Sequence, residues 1–234
     1  MRLGQLLGDS GVSLLWQSLP DVRGIEISNI AIDSLAVRPG TLFVALPGHR
    51  THGAEFARQA QDAGAVAIVT DRLGCRKISE TTPRITAPVM VVSSPRMSVS
   101  ALAASFYGHP AQALTVVGIT GTNGKTSVAY LLQSVLNANG RRCGLIGTLG
   151  ARYPEWVGEG LSRTTPEAPD LHRILAVMSE RGADCVSMEV SSIAIREERV
   201  NDVTFDTVGF TGLSQDHLDY HTTMDDYFAA KSDL

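Results

Sequence analysis

The chain has 234 residues and a mass of 25.0 kDa, with 20 basic and 24 acidic side chains and a formal charge of −4. Such mild acidity provides no broad basic field, which speaks against nucleic acid or an anionic membrane surface as a partner. No apolar run reaches the roughly 18 residues needed to span a bilayer, and Cys75, Cys143 and Cys185 are too scattered for a zinc site or a disulfide framework. The expectation is a cytoplasmic protein with reduced thiols.

In chain order, short β-rich runs alternate with helical ones, the pattern of an α/β fold. After a weakly amphipathic opening, Ile25 to Ile32 alternates like a half-buried strand. Strands are then predicted at Leu42 to Leu46, Ala65 to Val69 and Pro88 to Val92, with a helix at Ala54 to Ala63. Gly74 to Thr86 is polar and turn-like and reads as a loop or short irregular element. A helix at Ser98 to Tyr107 is closed by Gly108-His109-Pro110, the best candidate for a domain boundary. Alternation then restarts with strand Leu114 to Ile119, helix Lys125 to Asn139 and strand Cys143 to Gly147. A long loop through Pro154 follows, then a helix from about Pro166 to Arg181, and strands Asp184 to Val190 and Thr207 to Phe210. The chain closes in a helix from Met224 to Leu234, uncapped and expected to fray, as if cut within a domain.

The strongest signal is Leu114 to Ser127, where a hydrophobic strand runs into Thr120-Gly121-Thr122-Asn123-Gly124-Lys125-Thr126-Ser127 and opens a helix. Glycines allow successive backbone N–H groups to face phosphate oxygens, and the helix N-terminus adds partial positive charge. A lysine here can reach the outer phosphates and a threonine hydroxyl can ligate Mg²⁺. The usual G-x-x-x-x-G-K-[ST] spacing would need glycine where Ile119 stands, so a chance glycine-rich turn is the competing reading; agreement of strand, glycines, Lys-Thr and helix favours ATP or GTP.

The variant loop Thr120 to Thr126 resembles the ATP loop of the Mur ligase superfamily, whose members join an amino acid to a carboxylate through an acyl phosphate. Cyanophycin and folylpolyglutamate synthetases carry related loops. Further stretches resemble the MurE type: Asp33-Ser34, Val37-x-Pro39-Gly40-x-Leu42-Phe43-Val44-Ala45-Leu46, Met188-Glu189-Val190-Ser191-Ser192, Phe210 to His221, and Ala229-Ala230-Lys231. That resemblance implies a UDP-sugar-binding α/β domain over 1–110, then an incomplete P-loop-type ATPase domain with a mainly parallel sheet over 111–234. The family's third domain has no counterpart in these residues.

By resemblance, ATP would lie on Gly121, Thr122, Asn123, Gly124, Lys125, Thr126 and Ser127. Lys125, Glu189, His217 and Lys231 would be catalytic, with Mg²⁺ on Thr126, Glu189, His217 and Lys231, the last carbamylated by CO₂. Read without it, Glu189 could be a cap or an ion-pair partner, His217 a loop histidine and Lys231 a solvated lysine. The substrate UDP-N-acetylmuramoyl-L-alanyl-D-glutamate would meet Ile32, Ser34, His49, Arg50 and Thr51 at its uridine end. Arg163, Thr164, Thr165, Ser191, Glu197 and Arg199 would meet its muramoyl-peptide. The amino acid added, diaminopimelate or lysine, stays open.

Departures from the family pattern fall at Leu35, Ile193, Gly212 and Gln215, and at Glu197 where glutamine is common; most remove a donor or a cation. The reading is therefore an ATP-dependent carboxylate–amine ligase of peptidoglycan synthesis. The alternatives are a truncated fragment that holds nucleotide-sugar and ATP without completing catalysis, and another amide ligase of the superfamily.

Overall fold

A computed structural model describes residues 1–48, 50–153, 156–158 and 163–234. The chain divides into two units, Met1–Phe106 and Tyr107–Leu234.

The first unit contains α1 (Leu3–Ser10), β1 (Trp16–Gln17), β2 (Asn29–Ala31), β3 (Thr41–Val44), α2 (Ala57–Asp62), β4 (Ala65–Thr70), α3 (Arg72–Ser79), β5 (Val89–Val91) and α4 (Pro95–Phe106). Its sheet runs β1-β5-β4-β3-β2, parallel except for β1 at the edge. Phe43 and Ile68 are fully buried among Ala54, Ala57 and Ala60, so small helical residues let α2 and the turn before it lie close on the strands. The Ile25–Ile32 strand contracts to Asn29–Ala31, leaving only an isolated bridge between Arg2 and Glu26. Gly74 to Thr86 departs from its loop reading: α3 occupies Arg72–Ser79. Asp71 caps it by accepting from the Gly74 N–H at 2.7 Å, and Ile78 anchors it in the core. The short period hid one buried isoleucine among polar residues.

The second unit contains β6 (Thr115–Thr120), α5 (Lys125–Ala138), β7 (Cys143–Gly147), β8 (Gly150–Tyr153), β9 (Trp156–Val157), α6 (Ala168–Glu180), β10 (Cys185–Glu189), α7 (Ser192–Arg196), β11 (Thr207–Phe210) and α8 (Met224–Ser232). The sheet order is β11-β6-β10-β7-β8-β9. The first four strands are parallel and β8 and β9 antiparallel, so the sheet is mixed. Both antiparallel strands fall within the expected long loop; Pro154 itself lies outside the described residues. Leu171, Ile174, Leu175 and Met178 recur at helical spacing on α6 and pack on Val116, Ile146, Val186 and Met188. On the opposite face Ile119, Ala129 and Leu145 cluster beneath α5. Burial on both faces explains why these strands read as apolar runs rather than alternations. The closing helix is formed, with Thr223 capping it and Tyr227, Ala230 and Lys231 buried. Among the described residues no helix is long and apolar enough to cross a membrane.

Candidate functional site

In the second unit β6, β10 and β7 run side by side in one direction, so the turns leaving Thr120, Glu189 and Gly147 gather at one sheet edge. Ligands of open α/β sheets bind at such an edge. The turn from β6 into α5 depends on Gly121 (φ 133°) and Gly124 (φ 85°), conformations that disfavour side chains. A methyl at Gly121 would also drive into the Thr211 side chain. The Thr211 hydroxyl lies 3.1 Å from the Thr120 carbonyl and 2.6 Å from that of Asn123, cross-linking the turn to the chain after β11. Thr122 Oγ1 accepts from the Ser214 N–H at 3.0 Å and from the Tyr227 hydroxyl at 3.2 Å, and donates to the Ser214 carbonyl. Asn123 is exposed, with Nδ2 3.4 Å from Ser214 Oγ, and Ser127 is exposed on the first turn of α5.

Two ammonium groups converge beneath this turn. Lys125 Nζ donates to the carbonyls of Gly121 and Thr122 at 2.9 Å each, and Lys231 Nζ donates to the same Gly121 carbonyl at 2.9 Å. Lys231 is 3% exposed and stands 4.4 Å from the centroid of the Tyr227 ring. Burial lowers the Lys231 pKa to about 8, with repulsion from Lys125 adding and Asp216 opposing. Lys125 is also lowered by burial, against the pull of Glu189 and Asp216. The solvated reading of Lys231 is therefore overturned.

Glu189 ends β10 fully buried. Its Oε2 accepts from Thr126 Oγ1 at 2.8 Å and lies 3.1 Å from Thr148 Oγ1, and its Oε1 accepts from the Thr148 N–H at 3.0 Å. Gly147 leaves room for this carboxylate, because a methyl there would overlap it. Among the described residues Glu189 has no ion-pair partner within 4.0 Å; it is a buried acceptor held by neutral donors, which fits a hard cation. No group of three or more His, Cys, Asp or Glu that could hold a metal occurs among the described residues. His217 sits apart from the carboxylate's hydrogen bonds, in a left-handed backbone conformation (φ 53°), with its N–H bonded to Asp216 Oδ1 at 2.8 Å. Its ring packs edge-on to Tyr227, centroids 6.2 Å apart, so His217 and Lys231 flank one aromatic ring.

Beyond Glu189, Thr165 Oγ1 donates to the Glu189 carbonyl and accepts from the Ser191 N–H, both at 3.0 Å. Ser191 caps α7, and Thr164 Oγ1 lies 3.1 Å from Thr148 Oγ1. Arg199 is nearly buried, with Nε 3.1 Å from Glu167 Oε1 and a guanidinium bond to the Thr165 carbonyl at 3.4 Å; Arg163 also pairs with Glu167. Glu197 accepts from the Tyr220 hydroxyl at 2.9 Å. Within the first unit, Ser34 is buried and donates to Gln59 Oε1 at 3.1 Å, and Ile32 is half-buried. Arg50 and Thr51 are exposed, as is Leu35; His49 lies outside the described residues.

Sequence reasoning missed Thr148, Thr211 and Tyr227 and gave Asp216 no role. Thr211 and Asp216 fell inside the family-like stretch Phe210 to His221 without a role being assigned, and Thr148 and Tyr227 left no local signal.

The Mur ligase middle domain family matches residues 119–234, and the Mur ligase family, catalytic domain, matches residues 26–107. A UDP-N-acetylmuramoyl-L-alanyl-D-glutamate–2,6-diaminopimelate ligase of Streptomyces avermitilis is 46% identical over 232 residues, 99% of this chain and 44% of that protein. A UDP-N-acetylmuramyl-tripeptide synthetase of Leifsonia xyli is 44% identical over 92% of this chain and 41% of its own length. The solved structure of a UDP-N-acetylmuramoyl-L-alanyl-D-glutamate–2,6-diaminopimelate ligase superposes with TM-score 0.75 at 24% identity, covering 100% of this chain and 45% of that one; it bears on the fold alone. The chain thus spans less than half the length of the curated relatives it matches. Two matching family domains in sequence order, with relatives above 40% identity along nearly the whole chain, make it a member of the Mur ligase family, homologous to the MurE-type ligases.

Proposed function

We propose that residues 111–234 form the first part of a P-loop-type ATP site and residues 1–110 a unit for the uridine end of UDP-N-acetylmuramoyl-L-alanyl-D-glutamate. The whole protein would use ATP to phosphorylate the substrate's D-glutamyl carboxylate, and an amino acid's amine would displace that phosphate. The observation that carries this reading is the pairing of Thr126 with the buried, cation-free Glu189 below a turn that gathers two lysines. Lys125 would exchange its two carbonyl partners for nucleotide phosphates, a stronger charge-assisted bond. Thr126 and Glu189 would hold Mg²⁺, which when bound supplies positive charge between the two anions that must meet. His217 and a carbamylated Lys231 would complete the set, the buried amine having lost part of its affinity for a proton. Thr164, Thr165, Ser191, Glu197, Arg163 and Arg199 would face the muramoyl-peptide, and Ile32, Ser34, His49, Arg50 and Thr51 the uridine nucleotide.

A second reading, a chain that holds ligands without turnover, is favoured by its span of 40–45% of its relatives. Calorimetry with MgADP and with the UDP-muramoyl-dipeptide tests binding, and ADP release on adding ATP, dipeptide and diaminopimelate or lysine tests turnover. Binding without turnover is expected of these 234 residues. Absence of ADP binding would overturn the nucleotide site, and turnover dependent on both dipeptide and amino acid would overturn the second reading.

A further inference from the structure

Helix α8 is held on its outer side by an edge-on contact between Phe228 and Phe210 and by the pairing of Asp226 with His221. Of its nine residues only Tyr227, Ala230 and Lys231 are buried, and the neighbouring Phe228 is half exposed. Arg196 ties its outer side to Asp226 and Asp233 through surface ion pairs, a weak constraint on an inner side chain. On the inner side Lys231 Nζ holds the Gly121 carbonyl, and Tyr227 engages its surroundings with both ends. Its ring face meets Lys231 Nζ at 4.4 Å, and its hydroxyl reaches Thr122 Oγ1 in the glycine-rich turn at 3.2 Å. The contact to Thr122 crosses 105 residues of sequence, and Thr122 is itself bound to Ser214 in both directions. One side chain therefore touches the turn, the lysine and the His217 ring.

We infer that Tyr227 is a positioning residue for the reaction, setting the Lys231 amine under the glycine-rich turn with its ring and locking the turn to α8 with its hydroxyl. This rests on the nucleotide reading of the turn and extends it to a residue that need not touch nucleotide. The two contacts are chemically separable. Phenylalanine keeps the quadrupole that faces the amine and loses the hydroxyl; leucine loses both.

The chain has three lysines, Lys77, Lys125 and Lys231, so acetylation by an N-hydroxysuccinimide ester can be followed at each by peptide mass. Lys77, in a partly exposed pair with Glu55, is the internal reference. Tyr227→Leu is expected to raise the Lys231 acetylation rate about tenfold or more, the scale of a desolvated cation–π contact. Tyr227→Phe should leave Lys231 protected but weaken ADP binding about threefold to tenfold, as loss of one turn-anchoring hydrogen bond implies. Thr122→Val, which severs both Ser214 bonds as well, should lose at least as much, and Tyr227→Phe should add little on top of it. A Lys231 as slow in Tyr227→Leu as in wild type overturns the seat, as does a Tyr227→Phe that exposes Lys231 equally. Full additivity of Thr122→Val and Tyr227→Phe overturns the lock, and it decides the matter if Tyr227→Leu does not fold. Should wild type bind no ADP, the nucleotide reading fails, while the acetylation contrast still judges the ring.

Discussion

Thr126 Oγ1 donates to Glu189 Oε2 at 2.8 Å, joining the first turn of α5 to the end of β10 across 63 residues of sequence. Among the described residues no cation lies within 4.0 Å of that carboxylate, and Lys125 acts on it only from farther away, which shapes the first prediction. Glu189→Gln should keep the fold, because the amide oxygen can accept from the Thr148 N–H while its NH2 donates to the hydroxyls of Thr126 and Thr148. It should abolish the gain in ADP affinity that Mg²⁺ provides while sparing metal-free ADP binding. Calorimetry with and without Mg²⁺ checks this; an undiminished Mg²⁺ effect would remove Glu189 from the metal site.

Lys125→Ala should weaken ADP binding roughly ten- to hundredfold, the worth of a hydrogen bond to a charged group. The side chain is half-buried and, among the described residues, bonds to two turn carbonyls, so the thermal midpoint should shift little. Unchanged ADP affinity would sink the phosphate-loop assignment.

Arg199 poses a different question, since its guanidinium is already engaged with Glu167 and Thr165. Arg199→Ala leaves Glu167 to Arg163 but removes a nearly buried charged donor from Glu167 and from the Thr165 carbonyl, and should cost about 2 kcal/mol of stability. Urea unfolding measures it. A loss below about 1 kcal/mol, typical of solvated pairs, would show that the arginine is free for substrate.

His172 on α6 is fully buried, with neither ring nitrogen hydrogen-bonded among the described residues. Burial, reinforced by nearby His109, lowers its pKa from 6.5 to about 4. The unfolded chain therefore binds the proton first. Stability is fully present above about pH 6.5 and falls toward pH 4, by roughly 3 kcal/mol over that window. His172→Leu should flatten this slope in pH-dependent urea unfolding, and an unchanged slope would mean that other groups set it.

The sequence made the central strands of the second sheet legible, because burial on both faces of β7 and β10 leaves apolar runs such as Cys143 to Gly147. It concealed α3, whose core contribution is little more than Ile78, and it concealed the hairpin of β8 and β9, too short for periodicity to register. At the site, Gly121, Lys125 and Thr126 declared themselves through local spacing. Thr148 and Tyr227 could not, since each matters through a partner 41 or 105 residues away. Lys231 shows the limit of periodicity: its helix has almost no apolar stripe, so the resemblance of Ala229-Ala230-Lys231 singled it out while nothing in the local pattern announced its burial.

Gly147 has no side chain, yet the carboxylate of Glu189 occupies the volume where one would begin. Random mutagenesis scored by loss of ligand binding should therefore recover Gly147→Ala beside Glu189 substitutions, although position 147 offers no functional group. A map of intolerant positions would draw the site one strand wider than its chemistry. The vacancy at β7 and the acid it accommodates form one steric unit, so a larger residue at 147 would need a smaller one at 189.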